Sequence, residues 1–329
     1  MSVTLKKSLS AIAAVCLSIS AFCQSFCGGQ PGHVQGLARD ASAHRMYYSF
    51  TTRFVATDSL GNVVGSIDRI HGHLGAMTFD PDSRKVYASL ECKDDEIGSS
   101  ISKKLGEDTY KQSRFYIAEI DVDDFSLKQY EVRPAADDYR SGHFGCSGID
   151  GVTIGPGFKG QKGRFLYVAY GIYSDTTRTD NDNQIILQYR LGDFSKPEGR
   201  YYVRTGNTTY GVQNLAYDPF TNMMFLAVYR GKKSCWPNYD LFAVSMDSVP
   251  RKSLLEGVPY QRTKVWTIPV AGGWHFPLGS YGLCPLGDGR WYFAKAGRDE
   301  ADGSGSRTHN CTVVTCIWQG AQNETPFIQ

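Results

Sequence analysis

Past residue 23 the sequence has no apolar run approaching the roughly 18–20 residues that a membrane-spanning helix needs, so no membrane span is expected. It also lacks an excess of charge. Lys and Arg number 35 against 33 Asp and Glu, and setting aside Lys6 and Lys7 in the leader leaves 33 of each. A balanced chain has no global attraction for nucleic acid or anionic lipid, which excludes both as expected partners. No G-x-S-x-G elbow and no phosphate-cradling glycine loop occurs, so serine-hydrolase and nucleotide-hydrolase chemistry fall away.

Metal signatures are equally sparse. No two cysteines have zinc-knuckle spacing. His71 and His73 lack a third ligand at fixed spacing, and the segment Asp175 to Asn183 lacks the glycine and terminal glutamate of an EF-hand loop. No residue is therefore assigned as a metal ligand. Seven cysteines follow residue 23, an odd number, so at least one thiol has no partner within the chain. They are expected to be buried small hydrophobes with one or two disulfides, and Cys311 and Cys316, five apart in a strand-like run, should face opposite ways. Helical periodicity is confined to one insertion, Ile97 to Tyr110, which disfavours a parallel α/β fold.

What the chain does have begins with a leader. Lys6-Lys7, the apolar stretch from Leu9 to Phe22 and small residues around Ala21 and Cys23 follow the order of a signal peptide over residues 1–23. Cleavage after Cys23 would release residues 24–329 as one secreted or periplasmic domain.

An internal repeat sets the architecture. HVQGLARD from His33, HLGAMTFD from His73, GIDGVTIG from Gly148, GVQNLAYD from Gly211 and GLCPLGDG from Gly282 align in one register. Their second position is always aliphatic and their sixth is mostly small. Each is followed by a turn and a second β-rich run, such as VYASL or MFLAV. Further strands fill each interval, and four antiparallel strands repeated radially make a propeller blade. The expected fold is all-β, a five-bladed β-propeller, with six blades as the alternative if the 75-residue interval from His73 to Gly148 hides another.

Long loops after second strands and at blade crossings would share one face, the top, where a pocket is expected at the channel mouth. Strand-one starts supply His33, Gln35, His73, Asp150, Gln213 and Asn214. Strand-two ends supply Glu91, Lys93, Tyr170, Arg230 and Lys232. Among these, Asp150, Glu91 and His73 are the candidate catalytic groups, since paired carboxylates can cleave a glycosidic bond and a histidine can carry a proton. His33, Gln35, Lys93, Tyr170, Gln213, Asn214, Arg230 and Lys232 are the candidate substrate-binding residues, and their cations suit an anionic small molecule or oligosaccharide.

The runs GHVQGLARD, HGHLGAMTFD, VYASLECKDDEIG, GCSGIDGV, YGVQNLAYDP and VYRGKK resemble a family of exported bacterial β-propeller proteins with no established reaction. More loosely, the polar residues before the innermost strands are similar to gluconolactonase-type propellers. There such positions hold a divalent metal; Asp150 and Asn214 match them, while Gln35 stands in place of a glutamate. That likeness implies a divalent cation as a candidate cofactor; separately, Asp180 and Asp182 in the acidic segment are an alternative place for a calcium ion. Three functions follow: a glycoside hydrolase or lyase acting on an acidic saccharide, a non-catalytic carbohydrate binder, and a metal-dependent lactonase.

Overall fold

A computed structural model describes residues 26–255, 264–301 and 307–329; the leader and its cleavage point lie outside them. Each of the five repeats forms the innermost strand of a blade. Blade 1 comprises Val34–Asp40, Arg45–Phe50, Arg53–Thr57 and Val63–Ile67, and blade 2 comprises His73–Asp80, Lys85–Cys92, Arg114–Asp121 and Leu127–Glu131. Blade 3 begins with Cys146–Pro156, Arg164–Ile172, Asn183–Arg190 and Gly199–Arg204. Blade 4 has Thr209–Asp218, Met223–Tyr229, Leu241–Ser245 and Gly272–Trp274. Between its last two strands the chain leaves to form the hairpin Arg251–Leu254 and Lys264–Ile268, which joins the outer edge of blade 3 through a parallel pairing of Tyr201 with Trp266.

Blade 5 is assembled from both ends of the described chain. Leu283–Pro285, Arg290–Arg298 and His309–Trp318 are joined by Phe26–Gln30, which supplies the outer strand, with Cys27 opposite Cys311 and Gln30 opposite His309. Five blades account for the strands between residues 73 and 148 without a sixth.

The aliphatic second positions explain the ring. Val34, Leu74, Ile149, Val212 and Leu283 are all buried, and the apolar core falls into five clusters. Each cluster is shared by two successive blades, and the fifth joins blade 5 to blade 1 through Ala294, Val313, Val34 and Tyr48. Burial of a large side chain stabilises by about 1.5–3 kcal/mol, so closure of the ring rests on the same force as each blade interface. Cys311 packs in the cluster between blades 5 and 1 and Cys316 in that between blades 4 and 5, on opposite faces of their strand. The seven cysteines in the described residues are all free thiols, so the expected disulfides do not form in this structure.

Repeated aspartates shape the first turn of three blades. Asp40, Asp80 and Asp218 end innermost strands with buried carboxylates that accept hydrogen bonds from the backbone N–H groups of the following turn. The residue closing each turn, His44, Arg84 or Asn222, has positive φ. An Asx turn compensates for that left-handed residue and delivers the second strand in register.

Two α-helices among the described residues decorate the scaffold. Helix α1, Glu96–Leu105, is the expected insertion helix; Asp95 caps its start by accepting from the Gly98 N–H, and Gly106 ends it at φ 69°. Helix α2, Arg133–Ser141, lies at the crossing from blade 2 to blade 3, outside the one insertion where helix was expected. Its proline in the first turn and Gly142 after its end are helix boundary signals.

Candidate active site

A cavity of about 870 Å³ opens at one end of the central channel. The innermost strands set its floor: their first and third repeat positions bring His33 and Gln35 from blade 1, His73 from blade 2, Asp150 from blade 3 and Gln213 from blade 4 to one mouth. Helix α1 forms part of the wall with Glu96, Ile97, Ser100, Ile101, Lys104 and Leu105.

At the bottom, His73 lies opposite Glu91 across the blade 2 hairpin. Polar atoms of His73, Glu91 and Asp150 all fall within 4.8 Å of one another. Glu91 Oε1 accepts the Ile149 N–H at 2.9 Å, and its Oε2 lies 3.3 Å from Lys93 Nζ. Gly148 makes that approach feasible, because a Cβ there would stand 1.8 Å from Glu91 Oε1 and because its φ is +135°. Asp150 Oδ2 accepts from Gln213 Nε2 at 3.2 Å, and the same amide donates to the Tyr210 carbonyl at 3.0 Å. The Gln35 amide nitrogen sits 3.1 Å from His73 Nε2 and also contacts the His33 ring. His73 Nδ1 is buried with no partner among the described residues.

Burial governs the electrostatics. It pushes the Asp150 carboxyl well above the usual carboxylate range, and the nearby Glu91 charge adds to the effect while Lys93 opposes it. Glu91 is raised too, again by burial, with Lys93 and the Ile149 N–H favouring its ionised form. Lys93 stays charged: burial disfavours its cation, but Glu91 and Asp150 more than offset that. His73 is lowered to about 3 by burial and then by Lys93, so its ring is neutral at physiological pH. The environments separate the two acids: Asp150 favours its protonated form, while Glu91 has a cation partner. His73, Glu91 and Asp150 together have the donors a divalent cation would use, although Lys93 already supplies positive charge beside Glu91.

Of the expected binding residues, His33, Gln35, Lys93 and Gln213 line this cavity along with the three candidate catalytic groups. Four do not. Tyr170 is fully buried between blades, and its hydroxyl donates to Asp138 Oδ2 at 2.8 Å, an oxygen that also pairs with Arg200 at 2.6 Å. Asn214, just past an irregularity in the pairing of its strand, is buried and donates to the carbonyls of Gln35 and Ser280 at 3.0 Å each, tying blade 4 to blade 1 and to the segment that leads into blade 5. Arg230 lies beyond its strand, half-exposed, with Nε 2.8 Å from Asp240 Oδ1. Lys232, two residues further along that outward loop, is anchored by its backbone N–H to Asn207.

The histidine pair also separates. His71 precedes the strand and contacts Glu107 at 3.1 Å while stacking on Tyr110, whereas His73 enters the cavity. Asp180 and Asp182 in the aspartate-rich loop pair with Arg178 and Lys233.

Several lining residues were not singled out in the sequence, including Tyr229, Tyr210, His309 and Lys104. Tyr229 is the last residue of its strand, so ending that run one residue before Arg230 would have found it. His309 and Lys104 come from a third strand and an insertion helix, for which the repeat register gives no signal.

No family model and no curated protein matches the chain. Among solved structures, the chain is similar to the WD40 domain of Neurospora crassa Pan2, with 8% identity, a TM-score of 0.36 and coverage of 90% of this chain and 65% of that one. This chain therefore spans just under two thirds of the length of that structure.

Proposed function

We propose that the mouth cavity is the active site of an exported enzyme that cleaves glycosidic bonds in an acidic saccharide. The observation that carries this reading is the convergence of Glu91, Asp150 and a neutral His73 within 4.8 Å at the floor of a ligand-sized cavity. Asp150, held toward its protonated form, donates a proton to the leaving glycosidic oxygen. Glu91, whose carboxylate form is favoured by Lys93 and by the Ile149 N–H, attacks or stabilises the anomeric carbon. Carboxyls this close leave little room for an intervening water, and separations of about 5 Å accompany retention of configuration. His73 is held beside the two carboxyls by the Gln35 amide, and Tyr210 and Tyr229 line the space that the sugar would enter.

The test is a screen of the purified protein on uronate-containing oligosaccharides, following both release of reducing ends and the ultraviolet absorbance of unsaturated products. Reducing ends without absorbance, lost in Asp150→Asn, support hydrolysis. Absorbance gain would replace hydrolysis with elimination. Binding that persists without turnover on any member of the panel would overturn the enzyme reading in favour of a carbohydrate binder.

A further inference from the structure

The cations expected to recognise an anionic ligand, Arg230 and Lys232, lie outside the cavity, and Lys93 is committed to Glu91 and Asp95. The cavity floor thus carries two acids against one cation, which gives no attraction for an acidic sugar. Other cations line the walls. Arg53 is held by Asp68 at 2.5 Å and by Gln30, and Arg69 donates to the Leu105 carbonyl at the end of α1. Among the described residues neither Arg69 nor Lys104 has an acid within 4 Å, but Arg69 is tied to the end of α1, whereas Lys104, lining the cavity from the last turn of that helix, has no hydrogen-bond partner among them.

Two imidazoles face the cavity from the same side. His309 starts the third strand of blade 5, and its ring centroid is 6.0 Å from that of His33; both rings line the cavity. The positive field there is felt by each of them. His33 is lowered by burial and then by His309, Lys104 and Arg298, while His309 is lowered by burial, Arg298 and Lys104 and pulled the other way by Asp299. Asp299 itself is turned to Thr308, Asn310 and the Gly29 N–H.

We propose that Lys104, His309 and His33 form a subsite for the carboxylate of a uronate residue, on the side of the cavity next to the acidic cluster. This rests on the reading of the cavity as a saccharide site and narrows its substrate. The cavity becomes polar across its width: the sugar carboxylate binds the Lys104 wall and the bond to be broken lies over Glu91 and Asp150. A neutral sugar lacks the group that this wall would orient, and a ligand turned end for end places its charge against the floor carboxyls. Lys104 supplies the full charge, and the two neutral imidazoles supply N–H donors.

The experiment uses the whole protein with trigalacturonate and its fully methyl-esterified form, which keeps the shape and removes the charge. Lys104 sits on a helix face, so Lys104→Ala should melt as wild type does. The expected result is a rise of about tenfold in KM for the free acid with kcat unchanged, no change for the ester, a larger rise in Lys104→Glu and recovery in Lys104→Arg. Equal effects on acid and ester, or none on the acid, would overturn the subsite while leaving the catalytic reading in place. If neither probe is turned over, calorimetric binding of the same pair decides: acid binding weakened selectively in Lys104→Ala upholds the subsite and removes the reaction. Failure of wild type to bind either probe removes both.

Discussion

The two ends of the central channel are built from the same five strands and have opposite chemistry. At the mouth, the first and third repeat positions present His33, Gln35, His73, Asp150 and Gln213 to a cavity of about 870 Å³. At the far end, the later positions present Leu37, Met77, Ile154, Leu215 and Ala216 to a smaller space of about 400 Å³, with Arg39 and Arg164 at its edge. Arg164 there pairs with Asp80, the carboxylate that holds the blade 2 turn. One strand therefore serves as scaffold along most of its length and as chemistry only at its start. Polar residues at the start of these strands are explained by the cavity, while polar residues at their ends are explained by turns.

The sharpest way to break this contrast is to remove charge at the mouth. Asp150→Asn should lower turnover by about a hundredfold or more, the scale of a lost general acid, yet should not lower the melting temperature near pH 7. A carboxyl whose pKa is raised on folding favours the folded state fully below its unfolded value near 4 and loses that contribution as pH rises through the folded value. The amide has no such loss, so its melting curve at neutral pH should match or exceed that of wild type. For the same reason activity in wild type should fall on the alkaline side, as Asp150 gives up its proton. His73 is the reverse case. Its lowered pKa contributes stability above pH 6.5 that is lost as pH falls toward about 3, which an acid titration of the melting temperature would record.

Gly148→Ala tests whether the mouth is held by backbone shape. The added methyl meets Glu91 and the position has left-handed φ, so a loss of about 1–3 kcal/mol in stability and displacement of Glu91 with a matching fall in kcat are expected from denaturation and kinetics together. A variant with normal kcat would show that Glu91 can move without consequence. At the far end, Met77→Ala removes a buried side chain from the cluster between blades 1 and 2. It should cost about 2–4 kcal/mol while kcat of the folded protein stays at the wild-type value. The smallest effect is expected for Arg230→Ala, which removes a half-exposed ion pair worth under about 1 kcal/mol and no contact with the cavity. A large rise in KM would move the ligand outward from the mouth to the Arg230–Asp240 pair.

The repeat made the scaffold readable because the blade interface imposes the same demand five times: an aliphatic second position, a small sixth, then a turn. The floor of the site was readable for the same reason, since His73, Asp150, Gln35 and Gln213 occupy register positions that point into the channel. Glu91 followed from its place at the end of a second strand, which the structure pairs with His73. Tyr170, on the second strand of blade 3, and Asn214, on the innermost strand of blade 4, were misplaced, because the direction a side chain takes near a strand end depends on the bulges that interrupt pairing around Ile149 and Val212. Arg230 illustrates a different limit. Charge and proximity to a strand end are visible in sequence, but the partner that draws the side chain away, Asp240, belongs to a loop whose path is set by tertiary contacts. The helix at Arg133–Ser141 was hidden by its short length, even with Pro134 and Gly142 marking its ends.

The strand that completes blade 5 has a consequence for how the molecule comes into being. Phe26–Gln30 is made early, and its partner around His309–Thr312 is made some 280 residues later. During synthesis the first strand must wait with its edge unpaired while blades 1 to 4 form, so the ring cannot close until nearly all of the chain has emerged. Such a long-range pairing is slow and leaves an exposed edge open to other chains in the meantime. Topology therefore fixes one step: the cavity, which needs His33 from one end of this span and His309 from the other, cannot be complete before blade 5 has closed.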